Sequence, residues 1–154
     1  MSKKAAALLG FFVLVIGTPI LIWTYALPDL KPVVFPQVAS GSIEVGPMRH
    51  KRTLTDAEVS MLNTWFTQHK GGWGPLSTTP PSSGDSRVTL FDDKGKEVLD
   101  LTLWTGISAA DWNDTVFVES PDGQHVRSEH FSKKQFAPLR MLVDQHLFRR
   151  TDFP

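Results

Sequence analysis

The chain has 154 residues, no cysteine, and 16 basic residues against 16 acidic ones, for a formal net charge of +0. The lack of cysteine excludes disulfides, thiolate metal sites, thiol nucleophiles and thiol-linked lipid, and with them a bacterial lipoprotein. Balanced charge leaves no global field to draw in nucleic acid or acidic substrates, so no nucleic-acid partner is expected.

Lys3 and Lys4 precede an uncharged run from Ala5 to Leu27. As a helix this run would extend roughly 35 Å, enough for a hydrocarbon core of about 30 Å. The two lysines and the free amino terminus favour a cytoplasmic segment at 1–4, a transmembrane anchor at 5–27 and export of the rest. The predicted location is therefore a bacterial inner membrane, with the domain in the periplasm and the lipid bilayer as first partner. The competing reading is a secretory signal cleaved near Ala26, at a poor site formed by Thr24 and Ala26 ahead of Pro28. Both readings export the same domain.

Residues 28–53 contain Pro28, Pro32, Pro36 and Pro47 and read as an extended linker, because proline fixes φ and removes a backbone donor. Within it, Val33-Val34-Phe35 reads as a short strand or as a segment lying on the bilayer. Ser40 to Val45 reads as an edge strand, and Arg49, His50, Lys51 and Arg52 as a solvated basic cluster, in preference to a patch for phosphates or acidic partner groups.

The folded domain is expected over 54–150, with a tail at 151–154. Thr55-Asp56-Ala57-Glu58 has capping-box spacing. Val59, Leu62, Trp65 and Phe66 then recur on one helical face, up to a stop at Gly71-Gly72 after Lys70. Pro75 to Ser86 reads as an exposed loop. Arg87–Phe91 and Glu97–Trp104 alternate around Asp92-Asp93-Lys94-Gly95, which places Val88, Leu90, Leu99, Leu101 and Leu103 on one face. Thr115–Glu119 and Gln124–Phe131 form a second hairpin through Asp122-Gly123, with Val116 and Val118 pointing inward. Ser132 and Gln135 cap a closing helix striped by Phe136, Leu139, Val143 and Leu147, whose regular part Pro138 is expected to delay. The order α-β-β-β-β-α predicts an α+β domain: a four-stranded antiparallel sheet with two helices on one face. Phe91, Trp104 and Phe117 would lie on the other.

No catalytic residue, cofactor or metal ligand emerges from this pattern. His125 and His130 fall on opposite faces of one strand, His69 and His146 suit the dipole at helix ends, and His50 is in the linker. Motifs of the GxSxG, SxxK and HExxH types are missing, and Gly71-Gly72-Trp73-Gly74 lacks phosphate-loop spacing. Ser108, Asp111 and His130 make a triad only on paper. Tryptophans in the loops carry the better signal: Trp73, Trp104 and Trp112, with Phe117, form a candidate interaction surface. The plainer reading has Trp73 and Trp112 plugging the ends of a small core, and Trp65 inside it.

Leu62-Asn63-Thr64-Trp65-Phe66, then His69, Gly72-Trp73-Gly74, the proline loop and Leu101-Thr102-Leu103 together resemble a set of small bacterial cell-envelope proteins, over roughly residues 54 to 143. The resemblance implies an exported bacterial domain. That set has no assigned activity, so it carries over no site residues. The expectation is a membrane-anchored, non-catalytic periplasmic binding domain with a protein partner in the envelope. It would be an accessory subunit of an envelope assembly, or an immunity or inhibitor protein. The alternative is an envelope hydrolase with a loop-built site drawing on Asp111, Asp114, His69 and His130.

Overall fold

Contacts divide the chain, seen here in a computed structural model, into two units, Met1–Lys31 and Pro32–Pro154. The structure describes residues 3–22, 33–46, 48–75, 80, 82–121 and 126–144. In the first unit, helix α1 (Lys3–Leu21) contains an 18-residue window, Lys4–Leu21, with a mean hydropathy of 2.0 and no buried side chain. At 1.5 Å per residue that window is about 27 Å long, enough to cross a membrane. The rest of the predicted anchor, residues 23–27, lies outside the described residues.

The second unit is an α+β domain with a larger sheet than expected. Six strands stand in the order β2-β1-β4-β5-β6-β7: β1 (Ser40–Val45), β2 (His50–Thr53), β4 (Ser86–Phe91), β5 (Glu97–Trp104), β6 (Thr115–Glu119) and β7 (Val126–His130). Every pairing is antiparallel, and a two-residue bridge, β3 (Gly74–Pro75), extends the β7 edge. The two additional strands come from the stretch expected to be linker. Ser40–Val45 is an interior strand bonded on both sides, and the basic cluster contributes β2. Ile43 and Val45 alternate with Ser42 and Glu44, a period-two signal too short to outweigh the surrounding prolines. Gly41 is needed where it stands, since a Cβ there would meet Leu90 Cδ2 at 2.8 Å and Leu54 Cδ1 at 2.9 Å. The segment before β1 is packed too. Asn63 clamps the backbone of Val38 through both amide groups, at 3.0 and 2.8 Å, and Phe35 stacks on Phe66 at 4.6 Å.

The helices follow their capping signals. In α2 (Asp56–Gln68) Thr55 and Glu58 form the reciprocal box, and the chain turns away beyond His69, with Gly72 at φ 94. α3 (Lys133–Asp144) starts at Lys133 rather than at Pro138. Ser132 and Gln135 cap it, and Pro138 forgoes only a bond to Lys134, on the solvent side of the first turns. Leu147, the last member of the predicted stripe, falls outside the described residues, as does the Asp122-Gly123 turn. Strand register aligns Ile43, Val88, Leu101 and Val118 in one row across the sheet. These side chains form one core with Leu62, Trp65 and Phe66 of α2 and Phe136, Leu139 and Leu142 of α3.

β2 is bound to this core through charge. The Arg52 fork meets the buried Glu58 carboxylate at 2.8 and 2.6 Å and donates to the Leu142 carbonyl at 3.1 Å. Glu58 also accepts from the Thr55 amide at 2.8 Å. The Arg52 bond, opposed by burial and reinforced by Thr55, holds the Glu58 carboxyl below its usual range. A lowered carboxylate pKa stabilises the fold above the unfolded value, and that contribution is lost as pH falls through the folded one. Glu58→Gln should therefore cost about 1–3 kcal/mol in urea unfolding at neutral pH. The gap to wild type should close progressively below the ordinary value of 4.5.

Candidate functional site

β4 and β5 are joined by a tight turn at one end, and at the other end the chain entering β4 meets the chain leaving β5. The meeting point is organised by Asp85, which is only 4% exposed. Its Oδ2 accepts from the Thr105 amide at 2.6 Å, the Thr105 hydroxyl at 3.0 Å and the Ile107 amide at 3.2 Å, while Oδ1 accepts from the Ser108 amide at 2.8 Å. Burial pushes this carboxyl up, but the Ser108 hydroxyl and the amides of Thr105, Ser108 and Ile107 together outweigh it and hold it below its usual range. Successive amides converging on one carboxylate form an anion nest, here filled by the protein's own side chain. Gly84 must be glycine beside it: φ is 80, and a Cβ would collide with Thr102 Cγ2. The expectation of a merely exposed loop up to Ser86 therefore fails at its end, where Asp85 and Ser86 are buried.

Arg140 of α3 holds the far side of the same loop. Its guanidinium donates to the Thr105 carbonyl at 3.1 Å, to Asn113 Oδ1 at 2.8 Å and to Asp114 Oδ1, and it lies 5.3 Å from the Phe136 ring centre. Asp114 adopts φ 61, a left-handed conformation that aspartate tolerates. Between the loop and α3 lies an open groove of about 650 Å³, lined by Gly106, Ala110, Asn113, Lys133, Ala137, Arg140 and Met141 among others. Met141 is 62% exposed there. A smaller cavity of about 320 Å³ lies at the same end of the sheet, between Arg49, Ser82, Ser83 and Ser108.

The four aromatic residues of the expected interaction surface separate into two places. Trp104 and Phe117 lie on the sheet face away from the helices, with ring centres 4.4 Å apart, and Trp112 covers both at 5.5 Å from a short 3-10 turn, Ala110–Trp112. Trp73 belongs to the helix side, where its indole donates to the His69 carbonyl at 2.7 Å beside Phe35, Trp65 and Phe131. Trp73, Trp104 and Phe117 are buried at 7%, 1% and 6% exposure, which leaves Trp112 as the member with open surface. Trp73 is thus part of the main core, while Trp104, Phe117 and Trp112 form a separate aromatic cluster on the other sheet face.

Three of the four residues of the alternative hydrolase site have partners of their own. His69 stacks on Trp65 and its Nδ1 lies 2.8 Å from the Trp65 carbonyl. His130 pairs with the Thr115 hydroxyl at 3.3 Å, Asp114 binds Arg140, and Asp111 is exposed. Neither the groove nor the smaller cavity is lined by any of the four. Ser108 serves the Asp85 nest, so the paper triad is not assembled. No group of three or more metal-capable side chains occurs among the described residues, and His125 and His146 lie outside them. The carboxylates around the β4–β5 turn are structural: Asp92 accepts from the Lys94 and Lys96 amides, and Asp100 binds Arg87 at 2.6 Å. Burial and then the Asp100 charge push Glu97 above its ordinary value.

Among the polar residues that shape both cavities, Asp85 and Arg140 escape sequence reading, and Arg49 is read only as one member of the basic cluster. Asp85 has one local cue, a Ser-Ser-Gly-Asp turn, but its donors lie 20 or more positions away. No protein-family model, curated protein or solved structure matches the chain.

Replacing Asp85 by asparagine turns an acceptor oxygen into a donor facing the Thr105 and Ile107 amides. Asp85→Asn should lower unfolding free energy by about 2–4 kcal/mol, the cost of buried amides left unsatisfied around a lost charge. Chemical unfolding followed by tryptophan emission checks this, because Trp104 adjoins the nest.

Proposed function

We propose that the chain is a single-pass, membrane-anchored binding domain without catalysis of its own. Its N-terminus lies in the cytoplasm and its domain in the bacterial periplasm. There it acts on a protein partner, as an accessory subunit of an envelope assembly or as an immunity or inhibitor protein. The observation that carries this reading is α1: an apolar helix of membrane-spanning length with none of its window buried, attached to a separately packed α+β unit. Lys3 and Lys4 at its start supply the cytoplasmic charge bias.

The partner surface we favour is the rim of the 105–114 loop. Two of the exposed large apolar residues of the domain, Ile107 and Met141, belong to this loop and to the adjoining α3. Trp112 adds a partly open indole, and Lys133 and Arg140 supply a cationic margin to the groove. A rigid apolar centre with a polar rim is the usual anatomy of a protein interface.

Two measurements test the reading. N-terminal sequencing of the membrane form should recover an unprocessed chain, whereas a mature terminus at Leu27 would replace the anchor by a cleaved signal. Detergent co-purification of the tagged full-length chain should recover a specific envelope protein, at least about tenfold less with Met141→Glu, as expected for loss of a central apolar contact. Recovery of no specific partner, together with turnover of an envelope substrate, would replace this reading by the hydrolase.

A further inference from the structure

A β-bulge sets two carboxyls side by side at the turn end of the β4–β5 hairpin. Register steps from Leu90↔Leu99 to Phe91↔Glu97, so two residues of β5 stand against one of β4. Without the extra residue, the period of two would point Glu97 into the core beside Leu99 and Leu101. With it, Glu97 joins Asp100 on the sheet face away from the helices, and the two carboxyls lie within hydrogen-bond reach of each other. Asp100 is 3% exposed. Its Oδ2 accepts from Arg87 at 2.6 Å, while its Oδ1 is buried and has no donor among the described residues.

A buried acceptor without a donor is costly. No outside ligand reaches an oxygen without open surface, so the donor has to come from a neighbouring side chain. On β4, Arg87 already serves Oδ2. On β6, Glu119 stands opposite Asp100 in register and is an acceptor when ionised. Beyond Arg87, Glu44 of β1 pairs with Lys51 of β2 at 3.5 Å. In the turn, Asp92 accepts from the Lys94 and Lys96 amides, and Asp93, Lys94 and Lys96 are exposed. The segment 33–36 bordering this end carries no charge. Glu97 remains, and its carboxyl is a donor once protonated. Three carboxylates, Glu97, Asp100 and Glu119, surround the Arg87 guanidinium, so full ionisation leaves two of their charges unmatched there. Burial first, then the Asp100 charge and hydrogen bond, hold the Glu97 carboxyl above its ordinary value, with Arg87 opposing and Glu119 adding. Glu97 also lines an open cavity of about 480 Å³ with Val34, Pro36, Lys96 and Pro121, so its proton exchanges with solvent although Asp100 is enclosed.

We propose that Glu97 and Asp100 share one proton, which latches the bulged end of the hairpin and is released as pH rises. With the proton in place, Glu97 donates to Asp100 Oδ1. Without it, Glu97 sets a further charge against Asp100 and Glu119, and the bulge loosens. A carboxyl raised in the fold stabilises it fully below the unfolded value and loses that contribution as pH rises through the folded one. The latch thus works in the opposite sense to Glu58 and Asp85. It is independent of the partner surface proposed above.

The test is an NMR titration of the side-chain carboxyl carbons of the full-length protein in detergent micelles, run in water and in deuterium oxide. The Glu97 carbon should titrate with a midpoint above 4.5. The Asp100 carbon should move in the same transition, and below it both carbons should show a deuterium isotope shift, as a pair sharing one proton requires. The amides of Phe91, Glu97 and Val98 should lose exchange protection above that midpoint. Glu97→Gln keeps a donor for Asp100 Oδ1 without a titrating group, so it should abolish the transition and keep these amides protected on both sides of it. A Glu97 midpoint at or below 4.5 overturns the pair. An isotope shift confined to Glu97 identifies a merely desolvated acid and overturns the shared proton. Bulge amides indifferent to the transition, or following it unchanged in Glu97→Gln, overturn the latch.

Discussion

One buried carboxylate does what the hydrophobic core cannot do at the end of this sheet. The core ends where the strands end, and the chain leaving β5 still has to be held in place. Asp85 holds it by accepting the amides of Thr105, Ile107 and Ser108. Burying a charge is expensive, and only a full set of donors offsets the loss of water. Arg140 completes the restraint from the opposite side, tying α3 to Thr105, Asn113 and Asp114. The loop is thus fixed between the sheet and a helix by polar contacts at both faces. The groove, the smaller cavity and the seat of Trp112 over Trp104 are all defined by that fixed loop.

The parts legible in the sequence are those whose signal is local. The Thr55–Glu58 box, the Ser132–Gln135 cap and the alternation in Arg87–Phe91 and Glu97–Trp104 each rest on neighbours within a few positions. Each appears in the fold as read. The inward side chains of both hairpins also follow, since a period of two assigns faces without knowledge of the partner strand. The strands β1 and β2 were hidden for the converse reason. Their sequences are short and polar, flanked by proline, and stabilised by residues far along the chain: Asn63 for the entry segment, Glu58 and Leu142 for Arg52. The site was hidden for the same cause, because Asp85, Arg49 and Arg140 acquire their roles from partners 20 to 35 positions away.

Of the four aromatic residues expected at one surface, three are buried, and they lie in two places. A tryptophan in a loop is a good interface anchor in principle, but a domain this small needs large rings to seal its core. Trp73 is used in that way, while Trp104 is buried against Phe117 and Trp112 on the opposite face of the sheet. The histidines were read closer to their setting: His69 caps and stacks at the end of α2, consistent with a residue placed for the helix terminus. The partner surface proposed at the 105–114 rim rests on a loop whose start is held by Asp85.

The most direct measurement of that dependence is amide hydrogen exchange, resolved by residue, at a series of pH values. At neutral pH the amides of Thr105, Ile107 and Ser108 should be protected alongside those of the β4–β5 ladder. As pH falls through the depressed Asp85 value, these three should lose protection together while the ladder keeps it. Fast exchange of the three at neutral pH, or their loss only when the whole sheet opens, would contradict the role assigned to Asp85.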